Sequence, residues 1–482
     1  MTTRRLFALL LLLALFAMGV RETLDPDMWW HLRTGEYILQ HGIPRQDVFS
    51  FTVPEHEWVT HEWLSQLFMW LVYRVGGFAG LIVVFAGFVV ATFGLVYRAS
   101  EGRPYLAGFV TLLAAITSAI VWGARPQMFN LLLTAVFVLI VQKYRNRQGA
   151  FLWLLPPLTA LWANLHSGYL LGVVFLAAVA FGETWQRWQY AQDTLSLSRS
   201  AVRRLWLVTG LSFLAAALNP NGPTLWVYPF FTLGSNAMQV YIQEWHSPDF
   251  HLPMFWPFAG MMAVGVMALL FSAKRPSWTE LLLFLGTAGA GLLSARHIPL
   301  FAIISAPIIS RHLLASTQKS RIYPLLAGET AVSPPPPLMR FLNLFILLMA
   351  IAGVAGWTAT KITGNEMAIA ERYPVAAVDY LEQAGLADEP GYNTYNWGGY
   401  LVWRGIPVFV DGRADVYGDP FLFYYLQTYQ VTENWDKPLD DFAVRYVLME
   451  RDTPLTAVLT VSNEWHLAYQ DDVAVIFVRN DR

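Results

Sequence analysis

The sequence predicts an α-helical polytopic membrane protein of about 11 spans with a small C-terminal extracytoplasmic α/β domain. Three observations predict it. The 482 residues are 55% apolar and only 14% charged, where soluble domains carry about 25% charged residues. Long apolar runs recur along the first three quarters of the chain. From about residue 359 the composition turns to that of a soluble domain.

A bilayer span needs roughly 20 mostly apolar residues. Eleven segments qualify or come close: 5–21, 78–97, 105–122, 127–142, 151–163, 168–185, 205–218, 256–272, 278–294, 297–313 and 340–358. A further run, 224–234, reads as a re-entrant piece or an extra span. The opening "MTTRRLFALLLLLALFAMGV" has the layout of a secretory leader, but no clean small-x-small cleavage site follows, and it reads as the first span. The 20 Trp, 21 Tyr and 31 Phe suit membrane interfaces. Net charge is near zero, so no basic face points to nucleic acid. Cysteine is absent, which removes disulfides and thiolate metal sites.

Lys and Arg orient the spans. With the N-terminus in the cytoplasm, 17 of them up to residue 360 fall in inner loops. Six fall outside: Arg21, Arg33, Arg45, Arg74, Arg125 and Arg296. This places the protein in a cell inner or plasma membrane. The multispan part is 1–358, with a long first outer loop at 21–77, and the extracytoplasmic domain is 359–482. Nine of the ten histidines fall outside. Longer outer loops account for part of that bias. A polar, reactive outer cleft accounts for it better, because no insertion rule asks for histidine there.

The first outer loop opens with "DPDMWWHLRTGEYILQHG". Asp25 caps a helix, Pro26 takes its first position and Gly42 ends it. A carboxylate at this place can act as a general base or coordinate a divalent cation. Capping needs only one of Asp25 and Asp27. Trp29 and Trp30 read as interface anchors, and His31 and Arg33 as phosphate ligands or water-facing residues. "EWLSQLFMWLVYRVGG" at 62–77 reads as an amphipathic helix along the interface. Its "HEW" start, His61 and Glu62, is either a solvated helix start or part of the cleft. "WANLHSG" puts Asn164 and His166 at the outer end of a span, where polar groups are costly unless used or paired. Arg125 and the Arg296–His297 pair also sit at outer span ends. Arginines there either snorkel or donate to a phosphate-bearing ligand.

In the C-terminal domain, "YPVAAVDYLEQAG" reads as a helix. "GIPVFVDGRADVYG" reads as a buried strand entering a polar turn, and "EWHLAYQDDVAVIFVRN" as a hairpin turning at Asp471-Asp472. In "DGRAD", Asp411, Arg413 and Asp415 either pair as a structural turn or contact substrate. "SPPPPL" at 333–338 is a stiff linker. No phosphate-binding Gly-rich loop, HExxH or GxSxG is present.

A long first outer loop that opens on an acidic pair resembles the GT-C fold of membrane glycosyltransferases. "DPDMWWHLRTGEYI" is similar to the D-x-D version in bacterial members related to lipopolysaccharide and protein-mannosyl transferases. "YNWGGYLVWRGIPVFVDGRADVYGDPF", 395–421, resembles in layout the W-W-D-Y-G segment of oligosaccharyltransferase catalytic subunits, with Gly398 or Gly399 in place of its Asp. The resemblance implies a hexosyltransferase-type enzyme with a polyprenyl-phosphate-sugar donor and direct, inverting transfer to a glycan, lipid or protein on the outer face. Asp27 or Asp25 would be the base. His31, Arg33, His61, Glu62, Arg125, Asn164, His166, Arg296, His297 and Arg413 would contact substrate, and metal dependence stays open. Two other classes compete: a transporter or flippase of a lipid-linked sugar, which favours ionisable groups near the bilayer midplane, and a membrane scaffold with an outer binding domain.

Overall fold

The structure is a computed structural model that describes residues 1–54, 56–148, 151–190, 196–328 and 335–480. The first helices in chain order are α1 (Thr3–Gly19), α2 (Pro26–His41), α3 (Trp63–Ala99), α4 (Tyr105–Ser118), α5 (Gln127–Arg145), α6 (Leu155–Leu165), α7 (Tyr169–Gln189) and α8 (Arg199–Ala215). Two short helices, α9 (Tyr228–Gly234) and α10 (Asn236–Tyr241), precede α11 (Trp256–Phe271), α12 (Trp278–Leu293), α13 (Ile298–Ser316), α14 (Tyr323–Leu326) and α15 (Pro337–Thr363).

Each of the eleven expected spans falls on a helix. Among the described residues, six stretches are long and apolar enough to cross a membrane: Trp63–Ala99, Gln127–Arg145, Tyr169–Gln189, Pro253–Phe271, Ala295–Ser316 and Pro337–Thr363. The other five fall on α1, α4, α6, α8 and α12, helices of 11 to 17 residues. Length therefore supports fewer crossings than the apolar runs suggest. The 224–234 run is a 3₁₀ turn followed by the seven-residue α9, not a span. Of the Pro-rich stretch, 333 and 334 lie outside the described residues.

Burial shows where the bundle has its axis. The Ala295–Ser316 stretch is 83% buried and Pro337–Thr363 only 6%, so α13 is the central post and α15 rides on the periphery. α13 packs on α4, α5, α11 and α12, and α15 on α1. α3 is two helices in one. Gly77 takes φ 58°, a left-handed conformation that glycine adopts without strain, and it separates the loop portion from the apolar run that follows. The expected interface helix at 62–77 is that first portion. It crosses α2 at Gly35, where a Cβ would come within 2.2 Å of the Gln66 carbonyl oxygen.

The rest of the chain folds as α16 (Asn365–Arg372), α17 (Val375–Gln383), β1 (Gly391–Asn393), α18 (Tyr395–Arg404), α19 (Ala414–Tyr429), α20 (Lys437–Asp441), β2 (Tyr446–Glu450), α21 (Pro454–Val461), β3 (Trp465–Gln470) and β4 (Ala474–Arg479). The sheet order is β1-β2-β4-β3. β1 and β2 are parallel and the other pairs antiparallel. The expected helix is α17, and the expected hairpin is β3–β4. Residues 406–410 are not a strand of this sheet. Ile406, Val408, Phe409 and Val410 are buried, but the segment makes a single bridge, Val408 to Ser50 of the first loop. Its apolar run reflects burial between two parts of the chain, which periodicity cannot distinguish from a sheet interior.

Trp29 and Trp30 are not interface anchors. They are 1% and 7% exposed. Trp29 meets the rings of Phe78, Tyr373 and Tyr400 edge-on, with centroids 5.7, 5.3 and 5.0 Å away. The indoles after the acidic pair are thus the core between α2 and the C-terminal α/β part. They fix the start of α2 under α18.

Candidate active site

The N-terminus of α2 presents two carboxylates with different duties. Asp25 is the cap: its Oδ1 accepts the Asp27 backbone N–H at 3.0 Å, and Pro26 follows. Its Oδ2 lies 3.3 Å from Arg125 Nε, and Arg125 Nη2 donates to Glu244 at 2.5 Å. Asp27 accepts the Trp30 indole N–H at 3.1 Å through Oδ1. Its other oxygen has no protein donor among the described residues. The C-terminal part roofs this corner. A Cβ on Gly399 would approach the Pro26 carbonyl to 2.6 Å, and one on Gly412 would come within 2.2 Å of Asp27 Oδ1. The two glycines let backbone come down onto the acidic pair.

Across from it, His61 and Glu62 start α3. The His61 ring lies 4.7 Å from that of Tyr228, whose hydroxyl donates to Asp415 at 2.9 Å. His31 Nδ1 stands 3.9 Å from Glu62 Oε1 and 3.4 Å from the Gln66 amide. Arg296 lies over the Trp245 ring at 4.5 Å and has no carboxylate partner among the described residues.

These groups act on one another through space. Burial, then the charge of Asp25, pushes Asp27 up to about 7. Burial, then Asp415 and Asp27, holds Glu62 well above the usual carboxylate range. Burial keeps His31 and His166 well below the usual imidazole range, helped by neighbouring cations including Arg125. His61 is lowered by burial against the pull of Asp415. Burial disfavours the Arg125 charge, but Asp25, Glu244 and Asp27 outweigh it and raise the guanidinium. The cluster therefore holds a Glu62 shifted toward its protonated form, imidazoles shifted toward their neutral form, a charged Arg125 and an Asp27 that titrates near neutral pH. That last property is what a general base needs.

Several expected site residues converge here: Asp25, Asp27, His31, His61, Glu62, Arg125, His166 and Arg296. Others do not. Asn164 is occupied structurally, accepting from the Trp63 indole at 2.7 Å and donating to the Leu218 carbonyl at 2.8 Å. Arg33 is half-exposed and pairs with Glu36 within its own helix. His297 sits one residue past Arg296, half-buried at the start of α13. Arg413 is buried at 1% exposure. Its fork donates to Asp411 at 2.8 and 2.6 Å and to Asp47 at 2.5 Å, between the rings of Phe49 and Trp58. It ties the C-terminal part to the first loop and does not reach the cleft.

Sequence reading missed Glu244 and Tyr228 as cleft residues and left Asp415 open between a structural turn and a substrate contact; it accepts from the Tyr228 hydroxyl in the cleft. Glu244 had a legible signal, since "EWH" at 244–246 repeats the His, acid and Trp content of "HEW" at 61–63. Tyr228 had none, because nothing sets it apart from the other aromatics of its run.

A second charged group lies at the opposite end of the bundle, about 22 Å away along α13. Arg145 pairs with Glu183 at 2.7 Å, and Arg311 with Glu280 at 2.9 Å. Paired and largely buried, these charges lock helix ends together. Among the described residues no three His, Asp or Glu side chains come together as metal ligands.

No family model matches the chain, and no curated protein does. Solved structures do. AglB, the oligosaccharyltransferase of Archaeoglobus fulgidus, solved with an inhibitory peptide and a dolichol-phosphate, matches at TM-score 0.56 and 13% identity over 92% of this chain and 69% of its own. The same enzyme solved with zinc and sulfate matches at 0.51 and 13%, over 92% and 68%. ArnT of Cupriavidus metallidurans, in the apo state, matches at 0.50 and 12%, over 96% of both chains. The chain therefore has the GT-C fold, the architecture of these membrane glycosyltransferases.

Proposed function

We propose that the chain is a membrane glycosyltransferase. It moves a hexose-type sugar from a polyprenyl-phosphate donor to a hydroxyl of a glycan, lipid or protein acceptor, at the extracytoplasmic face of a cell-envelope membrane. The observation that carries this reading is the poised Asp27 carboxylate, roofed by the C-terminal part and within the fields of Arg125, Arg296 and Glu62. The fold supports it, as does the dolichol-phosphate bound by AglB. The Lys/Arg asymmetry supports the orientation, and an outer site has no access to cytosolic nucleotide sugars.

The reaction is a single displacement with inversion. Asp27 takes the acceptor hydroxyl proton as the oxygen attacks the anomeric carbon. The new carbon–oxygen bond forms as the bond to the donor phosphate breaks, and the electron pair leaves with the phosphate. Arg296, which pairs with no carboxylate among the described residues, meets the charge that grows there. Glu62, shifted toward its protonated form, can donate a hydrogen bond to a sugar hydroxyl.

Purified protein in proteoliposomes, given a panel of polyprenyl-phosphate sugars, is expected to release polyprenyl phosphate and glycosylate an added acceptor. Movement of the labelled lipid between leaflets without cleavage would favour the transporter class instead. Gly412→Ala is expected to slow transfer by about 100-fold, because a 2.2 Å approach forces the base out of line. A parental rate in that variant would remove the roof from the account.

A further inference from the structure

We propose that Arg125 is a built-in substitute for a divalent cation, so that transfer in this cleft runs without a metal. This rests on the glycosyltransferase reading for its activity arm only; the binding arm stands alone. Two carboxylates from the start of α2, Asp25 and Asp27, and a third from far along the chain, Glu244, lie within one electrostatic neighbourhood around Arg125. Such a gathering of partly buried anions is favoured by a cation among them. Divalent ions supply that role elsewhere by taking oxygens from several carboxylates at once.

Here the oxygens face a guanidinium. Arg125 spans Asp25 and Glu244 with two different nitrogens, at 3.3 and 2.5 Å. Asp25 is used on both sides, one oxygen toward Arg125 and the other capping the Asp27 N–H. Local sequence makes room for this. Gly123 lies so close to Asp25 that a Cβ there would sit 3.0 Å from Oδ2, so the turn before α5 can bring Arg125 against the acid. The side chain is 13% exposed, which holds it in place between its partners. The donor set therefore does not fit a resident metal, in contrast with AglB, which was solved with zinc. The arginines divide the labour: Arg125 neutralises the acids, and Arg296 is left for the substrate's phosphate.

The test is Mn²⁺ binding followed by electron paramagnetic resonance on detergent-purified full-length protein stripped with EDTA. Parental protein is expected to bind no stoichiometric Mn²⁺ and to transfer sugar at an unchanged rate in EDTA. Arg125→Ala is expected to gain one Mn²⁺ per chain, because it uncovers Asp25 and Glu244, and Glu244→Gln in that background should abolish the new site. Arg125→Gln serves as a second variant with a neutral side chain of similar reach. One Mn²⁺ bound to parental protein and lost in Asp25→Asn would overturn the proposal. So would a failure of both folded Arg125 variants to gain a site. If parental protein shows no transfer under any condition while the binding pattern holds, the function proposed above fails and this inference stands.

Discussion

Asp27→Asn is expected to lower the rate of sugar transfer by roughly 100- to 10,000-fold, the usual cost of losing a general base, and at the same time to stabilise the fold above neutral pH. The two effects have one cause. Burial and the Asp25 charge raise the Asp27 pKa to about 7 in the folded chain, against about 3.9 when unfolded. A carboxyl raised by folding favours the native state below its unfolded value, and that contribution is lost as pH rises through the folded value. Above about pH 7 the folded chain holds an ionised Asp27 that its surroundings disfavour, and amide replacement removes that strain. Asp25→Asn should behave differently: Asn still caps, but the pairing with Arg125 is weakened. Thermal unfolding in detergent at pH 6 and pH 8 would separate the two. An Asp27→Asn protein less stable than the parent at pH 8 would mean that the carboxylate serves the fold rather than the chemistry.

Arg413→Met is expected to cost about 3–5 kcal/mol, the penalty for leaving buried partners without their counter-charge. Arg413 and both its acids are fully buried, with side-chain exposures of 0%. Tyr417 still donates to Asp411 at 2.9 Å, and the Ser50 N–H to Asp47 at 2.9 Å. Neither donor carries charge. The triple change Asp47→Asn, Asp411→Asn, Arg413→Met should recover much of the loss, because it removes the charges together. Limited proteolysis reads this directly: the single variant should be cut in the first loop or after α18 while the triple variant resists. Protection equal to the parent in Arg413→Met would show that this tie between the first loop and the C-terminal part is dispensable.

The parts legible in sequence are those governed by local rules. The Asp25 cap, Pro26 at the first helical position, the end of α2 at Gly42 and the β3–β4 hairpin all follow from backbone preferences of residues adjacent in the chain. The helical character of the eleven apolar segments follows from composition. What was not legible depends on contacts across hundreds of residues. Trp29 read as an interface anchor because its aromatic partners Tyr373 and Tyr400 lie far along the chain, and Trp30 because its burial against Trp58 and the Asp27 carboxylate has no periodic signature. Arg413 read as a possible substrate contact because its second acid, Asp47, is remote. Asn164 was sound as a polar group at a helix end, but its amide serves Trp63 and Leu218. The convergence of Asp25, Asp27, His166 and Arg296 was inferable from one premise, that span ends on one face can meet. The roofing glycines were not, since only three-dimensional closeness of Gly412 to Asp27 gives them meaning.

The most direct test of Asp27 as the base in this cleft is the pH dependence of sugar transfer from a polyprenyl-phosphate donor, measured in parental protein and Asp27→Asn side by side. The parental rate should rise with pH through about 7, as Asp27 loses its proton, and the residual rate in Asp27→Asn should lack this limb. An unchanged limb in both proteins, or a parental rate that falls over the same range, would contradict it.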